Sequence, residues 1–382
     1  MNDPIYISDK EALETFCQSI KNCSWLAIDT EFQREKTYYS KLALIQIATP
    51  DLVAMIDPLN CDINPLLDVL YDENIIKVFH AARQDQEIFY NLRGRPLSPV
   101  FDTQIAAPIL GYPEQAGYAR LVDDILGVQL AKAHSRTDWI RRPLSEDQLT
   151  YAADDVIYLV QIYQSLKKSL EEKGRLSWLN SAFKDLASTK LYEAPPELAW
   201  KRIRATKRLK GGPLSIVQQL AEWRESYAQQ RNIPRGWLIK DDVLVDIAKL
   251  KPRTPSALAD IRGITDKFSE KFGSIICELI DKALEEDPIA VEKQVKTTKA
   301  TPNQEAIADL LMAQIRLSAD AASMNPTSVT TRKELLRLIQ GERELELLTG
   351  WRADLVGNAL LETLDGKLSL TINNKTLEVK QN

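Results

Sequence analysis

Two carboxylates, Asp29 and Glu31, stand one residue apart in the stretch WLAIDTEFQRE, residues 25–35. The stretch opens with four apolar residues, Trp25 to Ile28, and reads as a buried strand. On a strand, residues i and i+2 share a face, so this pair sits side by side near a core. Like charges placed there repel, and burying them is costly unless something positive joins them. No lysine or arginine lies between Lys21 and Arg34. A divalent cation would remove the conflict, and hard cations such as Mg²⁺ or Mn²⁺ prefer carboxylate oxygen.

Two further acids extend the pattern. Asp85 follows the strand-like IIKVFHA, where a helix begins, and Asp155 lies inside the helical stretch LTYAADDVIYL. Tyr151 precedes Asp155 by four residues and so shares its helical face. Asp154, three residues from Tyr151, lies on roughly the same face. Taken alone, Asp85 is equally an acid that favours the positive end of a helix dipole. Asp155 alone is one among many acids on a helix surface.

The elements that must position these groups follow from the hydrophobic pattern. ISDKEALETFCQSI begins with Ser8 as a candidate N-cap and continues with helical spacing. Three strand-like runs follow, WLAIDTEF, LALIQIAT and LVAMID. INPLLDVLYDE is helical, IIKVFHA is a strand, and QDQEIFYNLRG is a helix closed by Gly94. After the short strand-like VFDT, the longest helix signal runs from Ser145 as N-cap to Gly174. Strands in succession and then in alternation with helices predict an α/β domain on a mixed five-stranded sheet. Past Pro195 and Pro196 the pattern changes. WKRIRATKRLKGG carries six bases between Lys201 and Lys210 and no acid, and two helical sets follow it, separated by a polar stretch rich in lysine and threonine. The expected boundaries are 1–192 for the α/β domain, 193–210 for a basic linker and 211–290 for a first all-α domain. A second linker, 291–303, leads to a second all-α domain with a tail, 304–382.

Bulk properties exclude several functions. Hydrophobic content of 44% and charged content of 27% suit a soluble globular chain. The start MNDPIYISDK lacks the basic and apolar run of a signal peptide, and no apolar stretch approaches a membrane span, so a cytoplasmic protein with no membrane contact is expected. The four cysteines form no C-x-x-C pair. With only His80 and His134, a three-histidine zinc site is impossible. The net charge of −5 is uneven, with −7 in residues 1–190, +2 in 191–290 and 0 beyond. No G-x-x-x-x-G-K-[ST] phosphate loop occurs.

In combination the motifs are more specific than their parts. D-x-E on a strand, an Asp after HA at a helix start and Y-x-x-x-D on a late helix resemble the DEDD 3′→5′ exonuclease superfamily in its tyrosine-bearing (DEDDy) branch, which has a ribonuclease H-like fold. SRTDWIRRPLSEDQLTYAADDVIYL is similar to the corresponding stretch of the bacterial ribonuclease D family. The two helical sets resemble the HRDC domain that this family carries twice, and LTGWRADLVGNALLETL resembles the end of its second copy. The final LSLTINNKTLEVKQN lies outside the resemblance.

The resemblance implies two-metal phosphodiester hydrolysis with Mg²⁺ or Mn²⁺. Asp29 would bridge both metals, Glu31 and Asp155 would complete the first site, and Asp85 would hold the second largely through water. Tyr151 would align the attacking water, and the family spacing selects Asp155 over Asp154. It further implies a 3′→5′ exoribonuclease that trims tRNA precursors and other small structured RNAs and releases nucleoside 5′-monophosphates. A DNA 3′→5′ exonuclease of the same superfamily is the alternative. Phe32, His80 and Gln84 lie near the motifs and are candidates to touch RNA. So are Arg136, in a basic trio with Arg141 and Arg142, and the bases Lys201, Arg202, Arg204, Lys207 and Arg208. Equally, Phe32 reads as core and His80 as a hydrogen-bonded strand-end residue. Three domains in one chain need no partner to complete a core, so a monomer is expected.

Overall fold

The computed structural model describes residues 3–130, 137–288 and 299–382. The chain forms two compact units, one of Met1–Glu31, Ala43–Leu191 and Gln294–Asn382, the other of Phe32–Leu42 and Tyr192–Lys293.

In the first unit the strands are β1 (Ile5–Ile7), β2 (Trp25–Gln33), β3 (Lys41–Ala48), β4 (Val53–Ile56), β5 (Ile76–Phe79) and β6 (Val100–Asp102), ordered β1-β4-β3-β2-β5-β6. β1 runs parallel to β4, β3 antiparallel to β4, and β2, β5 and β6 run parallel. The sheet is mixed, as expected, but has six strands rather than five. The addition is β1, an edge strand of three residues whose Ile5 and Tyr6 are exposed. So short a strand has too little alternation to be read from sequence.

Helices α1 (Lys10–Ile20), α2 (Asn64–Leu70), α3 (Arg83–Arg93), α4 (Thr103–Ala106), α5 (Tyr118–Leu126), α6 (Glu146–Glu172) and α7 (Asn180–Leu186) accompany the sheet. The N-cap of α1 is Asp9, not Ser8. Its carboxylate accepts from the Ala12 amide at 2.9 Å, and a carboxylate there also suits the helix dipole. α6 opens as predicted. Ser145 and Gln148 form a reciprocal capping box, which fixes the register of the 27 residues that follow. Apolar residues of α6, among them Ala152, Val156 and Leu159, pack in one core with Ala27, Leu44 and Val78 of the sheet.

The last helical set also belongs to this unit. It comprises α13 (Pro302–Ala321), α14 (Arg332–Ile339), α15 (Gly350–Arg352), a π-turn at Ala353–Gly357 and α16 (Asn358–Leu364), closed by β7 (Leu368–Asn373) and β8 (Thr376–Gln381). Its Leu311, Ile315 and Leu360 join the core that includes Ile109 and Leu179. Arg175 donates to the carbonyls of Ile109 (3.0 Å) and Ala322 (2.6 Å), and Trp178 stacks on Trp351 at 4.7 Å and 3°. At Gly111, with φ +99°, a Cβ would meet the Ser323 carbonyl oxygen at 3.1 Å, so glycine is suited there both by conformation and by space.

The second unit holds α8 (Gly212–Arg231), α9 (Arg235–Leu238), α10 (Asp241–Leu250), α11 (Pro255–Ala259) and α12 (Asp266–Glu285). The basic segment before it folds as two short 3₁₀ helices, Pro196–Arg202 and Arg204–Arg208. Its Ala199, Trp200 and Ile203 are buried with Ile216, Leu220 and Ile276, so its apolar residues anchor what its charges alone suggest is a tether. The segment 32–42 is held by α8 and its C-cap. The Tyr38 and Tyr39 amides both donate to Asn232 Oδ1 at 3.0 Å, and the Tyr38 hydroxyl donates to the buried Glu225.

Candidate active site

β2 is a rigid mount. Leu26, Ala27 and Ile28 have no solvent exposure, and the strand is paired to β5 with Ala27 opposite Val78. Asp29 and Glu31 follow on one face, half-buried. α6 packs on that face and brings Asp155. One carboxylate oxygen from each of Asp29, Glu31 and Asp155 lies within 4.8 Å of the other two. Asp154 is outside this group. Tyr151, one turn before Asp155, lies beside it, and its hydroxyl acts to lower the Asp155 carboxyl. The buried Trp139 lies 6.1 Å from the Tyr151 ring and backs it. The Tyr118 hydroxyl donates to the carbonyls of Asp155 (2.5 Å) and Asp154 (3.1 Å), which ties α5 to the turn of α6 that carries these acids.

Electrostatically the cluster is frustrated. Burial, then Asp155, Asp85 and Glu31, push the Asp29 carboxyl well above its ordinary range. Burial, then Asp155 and Asp85, raise Glu31 to about 9. Burial, reinforced by Asp154 and opposed by the Tyr151 hydrogen bond, raises Asp155 to about 7. Three carboxylates buried this close without a cation are all pushed toward the protonated form. An all-oxygen set of this kind fits a hard divalent cation.

Asp85 is placed differently. Its carboxylate accepts from the hydroxyl of Thr30, the residue between Asp29 and Glu31, and burial raises it to about 7. It is not among the three converging oxygens. The turn into α3 that carries it is strained. Ala81 has φ +59°, a left-handed conformation unfavourable for a residue with a Cβ. The buried carboxylate of Asp102 holds this turn, accepting from the amides of Ala81 (3.1 Å) and Ala82 (2.9 Å) and also from Gln104 (2.8 Å). Asp102→Ala should lower stability by about 1–3 kcal/mol in urea unfolding, since it strands the buried Ala82 amide. Ala81→Gly in that background should recover part of the loss. An unchanged midpoint in Asp102→Ala would show that the clamp carries no load.

The remaining sequence candidates scatter. His80 Nδ1 lies 3.0 Å from the Thr103 hydroxyl, its ring meets Tyr118 edge-on at 5.4 Å, and burial lowers its pKa. Gln84 is exposed in the first turn of α3, and Phe32 is half-buried on β2. Arg136 and His134 lie outside the described residues. Arg142 is committed to structure. It pairs with the buried Asp57 at 2.6 Å and donates to the carbonyls of Ala43 and Trp139, both at 2.7 Å. In the basic run, Arg202 pairs with Glu225 at 3.0 Å and Lys201 sits 5.9 Å from the Trp200 ring centroid. Arg204, Lys207 and Arg208 are exposed. Tyr118, Asp102, Thr30 and Trp139 escape a reading of the sequence. Tyr118 and Asp102 grip backbone atoms, which leaves no spacing signal.

Residues 4–171 match the 3′-5′ exonuclease family, and residues 214–280 match the HRDC domain. Along its length the chain is similar to ribonuclease D of Sphingobium indicum, 38% identical over 381 residues that cover 98% of this chain and 97% of that protein. It is similar to ribonuclease D of Zymomonas mobilis, 39% identical over 372 residues, covering 96% and 95%. The crystal structure of Escherichia coli RNase D, described as an exoribonuclease involved in structured RNA processing, superposes with a TM-score of 0.78 at 31% identity, covering 96% of this chain and 99% of that one.

Proposed function

The chain belongs to the ribonuclease D family and is a 3′→5′ exoribonuclease, and from that premise we propose that Asp29, Glu31, Asp85, Tyr151 and Asp155 are its catalytic residues. The observation that carries the assignment is the convergence of three carboxylate oxygens within 4.8 Å, with no lysine or arginine between Lys21 and Arg34. Asp29, Glu31, Asp85 and Asp155 would hold two divalent cations, Mg²⁺ or Mn²⁺. When bound, these supply Lewis-acid activation of water and neutralise charge at the scissile phosphate.

The chain's own groups do the rest. Asp29, Glu31 and Asp155 would hold one cation, and Asp85, fixed by Thr30, would help to hold the second. Tyr151 lies between Asp155 and Trp139, so its hydroxyl would be positioned to align a water. No histidine base is required, which suits a site where His80 is committed to Thr103.

The proposed substrates are structured RNAs with a single-stranded 3′ tail, tRNA precursors foremost, with nucleoside 5′-monophosphates released. Support comes from the Escherichia coli relative, described as acting in structured RNA processing. The exposed Arg204, Lys207 and Arg208 are proposed to contact phosphates, with the helical domains gripping the folded part of the RNA. Phe32, His80 and Gln84 remain proposed contacts to the terminal nucleotide, and Arg136 a proposed phosphate contact. No helix among the described residues is long and apolar enough to cross a membrane, consistent with a proposed cytoplasmic site of action.

Matched 3′-tailed RNA and DNA, incubated with Mg²⁺ or Mn²⁺ and resolved by length, test this reading. Stepwise shortening of RNA is expected. A preference for DNA, or shortening that persists in a chelator, would overturn it.

A further inference from the structure

The C-terminal segment 368–381, LSLTINNKTLEVKQ, has a pattern that nothing in the nuclease accounts for. It folds into a hairpin with Leu370 opposite Val379, Ile372 opposite Leu377, and Thr371 opposite Glu378. Asn374 and Lys375 turn the chain with φ of +48° and +66°, as a two-residue hairpin turn requires. Because side chains alternate, Leu368, Leu370, Ile372, Leu377 and Val379 all lie on one face. That face is incompletely covered, with Ile372 at 78% and Val379 at 40% exposure. β7 adjoins α16, whereas β8 has no substantial neighbour but β7 among the described residues. A two-stranded ribbon with an open apolar edge is marginal alone and is a template for further pairing.

The backbone shows which groups of β8 are available. The Asn382 amide donates to the Lys367 carbonyl at 2.9 Å. Hydrogen-bonded and non-bonded pairs alternate along an antiparallel ladder. The bonded pairs inside the hairpin are therefore Ser369 with Lys380, Thr371 with Glu378, and Asn373 with Thr376. Leu377, Val379 and Gln381 turn their amides and carbonyls outward. This edge is self-complementary. Two copies of β8, run antiparallel about a twofold axis through Val379, exchange backbone hydrogen bonds at Val379 with Val379 and at Leu377 with Gln381. Glu378 of each copy then faces Lys380 of the other, in the non-bonded positions where side chains approach closest. The apolar residues of both hairpins share one face of the resulting four-stranded sheet.

We propose that this hairpin is a self-association element through which a second copy of the chain pairs along β8. The contact is isologous, so it closes at two copies and does not propagate. It departs from the monomer expected from sequence, because that expectation counts completed cores and not open strand edges.

Sedimentation equilibrium of the full-length protein, from micromolar to several hundred micromolar, tests it. A monomer–dimer equilibrium is expected. Val379→Pro removes an outward-facing donor and leaves the β7–β8 ladder intact, so it should abolish the dimer without loss of RNA trimming. Glu378→Lys should weaken the dimer roughly tenfold, and adding Lys380→Glu should restore it. The charge-swap pair decides the matter if Val379→Pro disturbs the hairpin. A monomer at every concentration would overturn the proposal and leave the edge to an extended peptide of another protein, or to nothing. A dimer insensitive to all three variants would overturn it as well.

Discussion

Asp155→Ala should abolish metal-dependent shortening of a 3′-tailed RNA, while Asp154→Ala keeps most of the wild-type rate. The two acids are adjacent on α6 and chemically identical. Of the two, only Asp155 has a carboxylate oxygen within 4.8 Å of both Asp29 and Glu31, and it is Asp155 that the Tyr151 hydroxyl acts on. Loss of Asp155 would remove a proposed ligand and the neighbour of the Tyr151 hydroxyl at once, so a fall in kcat of at least about 10²–10³ is expected, in the range seen when one preorganised charge-stabilising group is deleted. Initial rates over a Mg²⁺ titration measure it. A weaker metal optimum with a preserved maximal rate would assign Asp155 to affinity alone. The reverse order of damage between the two variants would place the wrong acid in the site.

The second large effect is on stability. In a chelator, the metal-free protein should lose stability as pH rises from about 5 to 9, and saturating Mg²⁺ or Mn²⁺ should cancel the loss. The sign follows from the direction in which the folded site moves its acids. Asp85 and Asp155 are raised to about 7 and Glu31 to about 9. Between the ordinary carboxylate range and these values the folded state binds more protons than the unfolded state. Stability therefore falls as pH rises through that window. A tenfold weaker acid in the folded state corresponds to roughly 1.4 kcal/mol, so the combined loss over the three acids reaches several kcal/mol. A cation that takes the place of the protons removes that loss. Melting temperatures in chelator and in metal, at pH 5.5, 7 and 8.5, read both limbs. A metal-free protein whose melting temperature is flat across that range would show that the acids do not share a buried site.

The sheet is legible in the sequence wherever a strand is long enough to show a pattern. β2, β3, β4 and β5 stand out as apolar runs, and α6 announces itself through Ser145 and Gln148. β1 does not, because three residues with two exposed carry no period. The acids of the site are legible through an electrostatic contradiction, Asp29 beside Glu31 with no nearby base. Their supports are not. Thr30 looks like any strand threonine until Asp85 is beside it. Asp102 looks like the end of VFDT until the Ala81 and Ala82 amides converge on it. Arg142 looks available for phosphate because its partner, Asp57, lies 85 residues away. Long-range pairing of this kind leaves no local trace in a sequence.

Chain order and packing order also differ in this protein. Along the chain the nuclease sheet comes first, the second unit next and residues 302–364 after it. Yet Leu311, Ile315, Val356 and Leu360 pack in the same core as Ile109, Leu159 and Leu179. The apolar surface around Ile109 and Leu179 is thus covered by residues that follow it in the chain only after an intervening hundred or so, 192–293, that belong to the other unit. All five proposed catalytic side chains precede the residues that finish their core. The helices of 302–364 act as a closing clasp on the first domain, so removing them strikes the nuclease itself and not a detachable accessory.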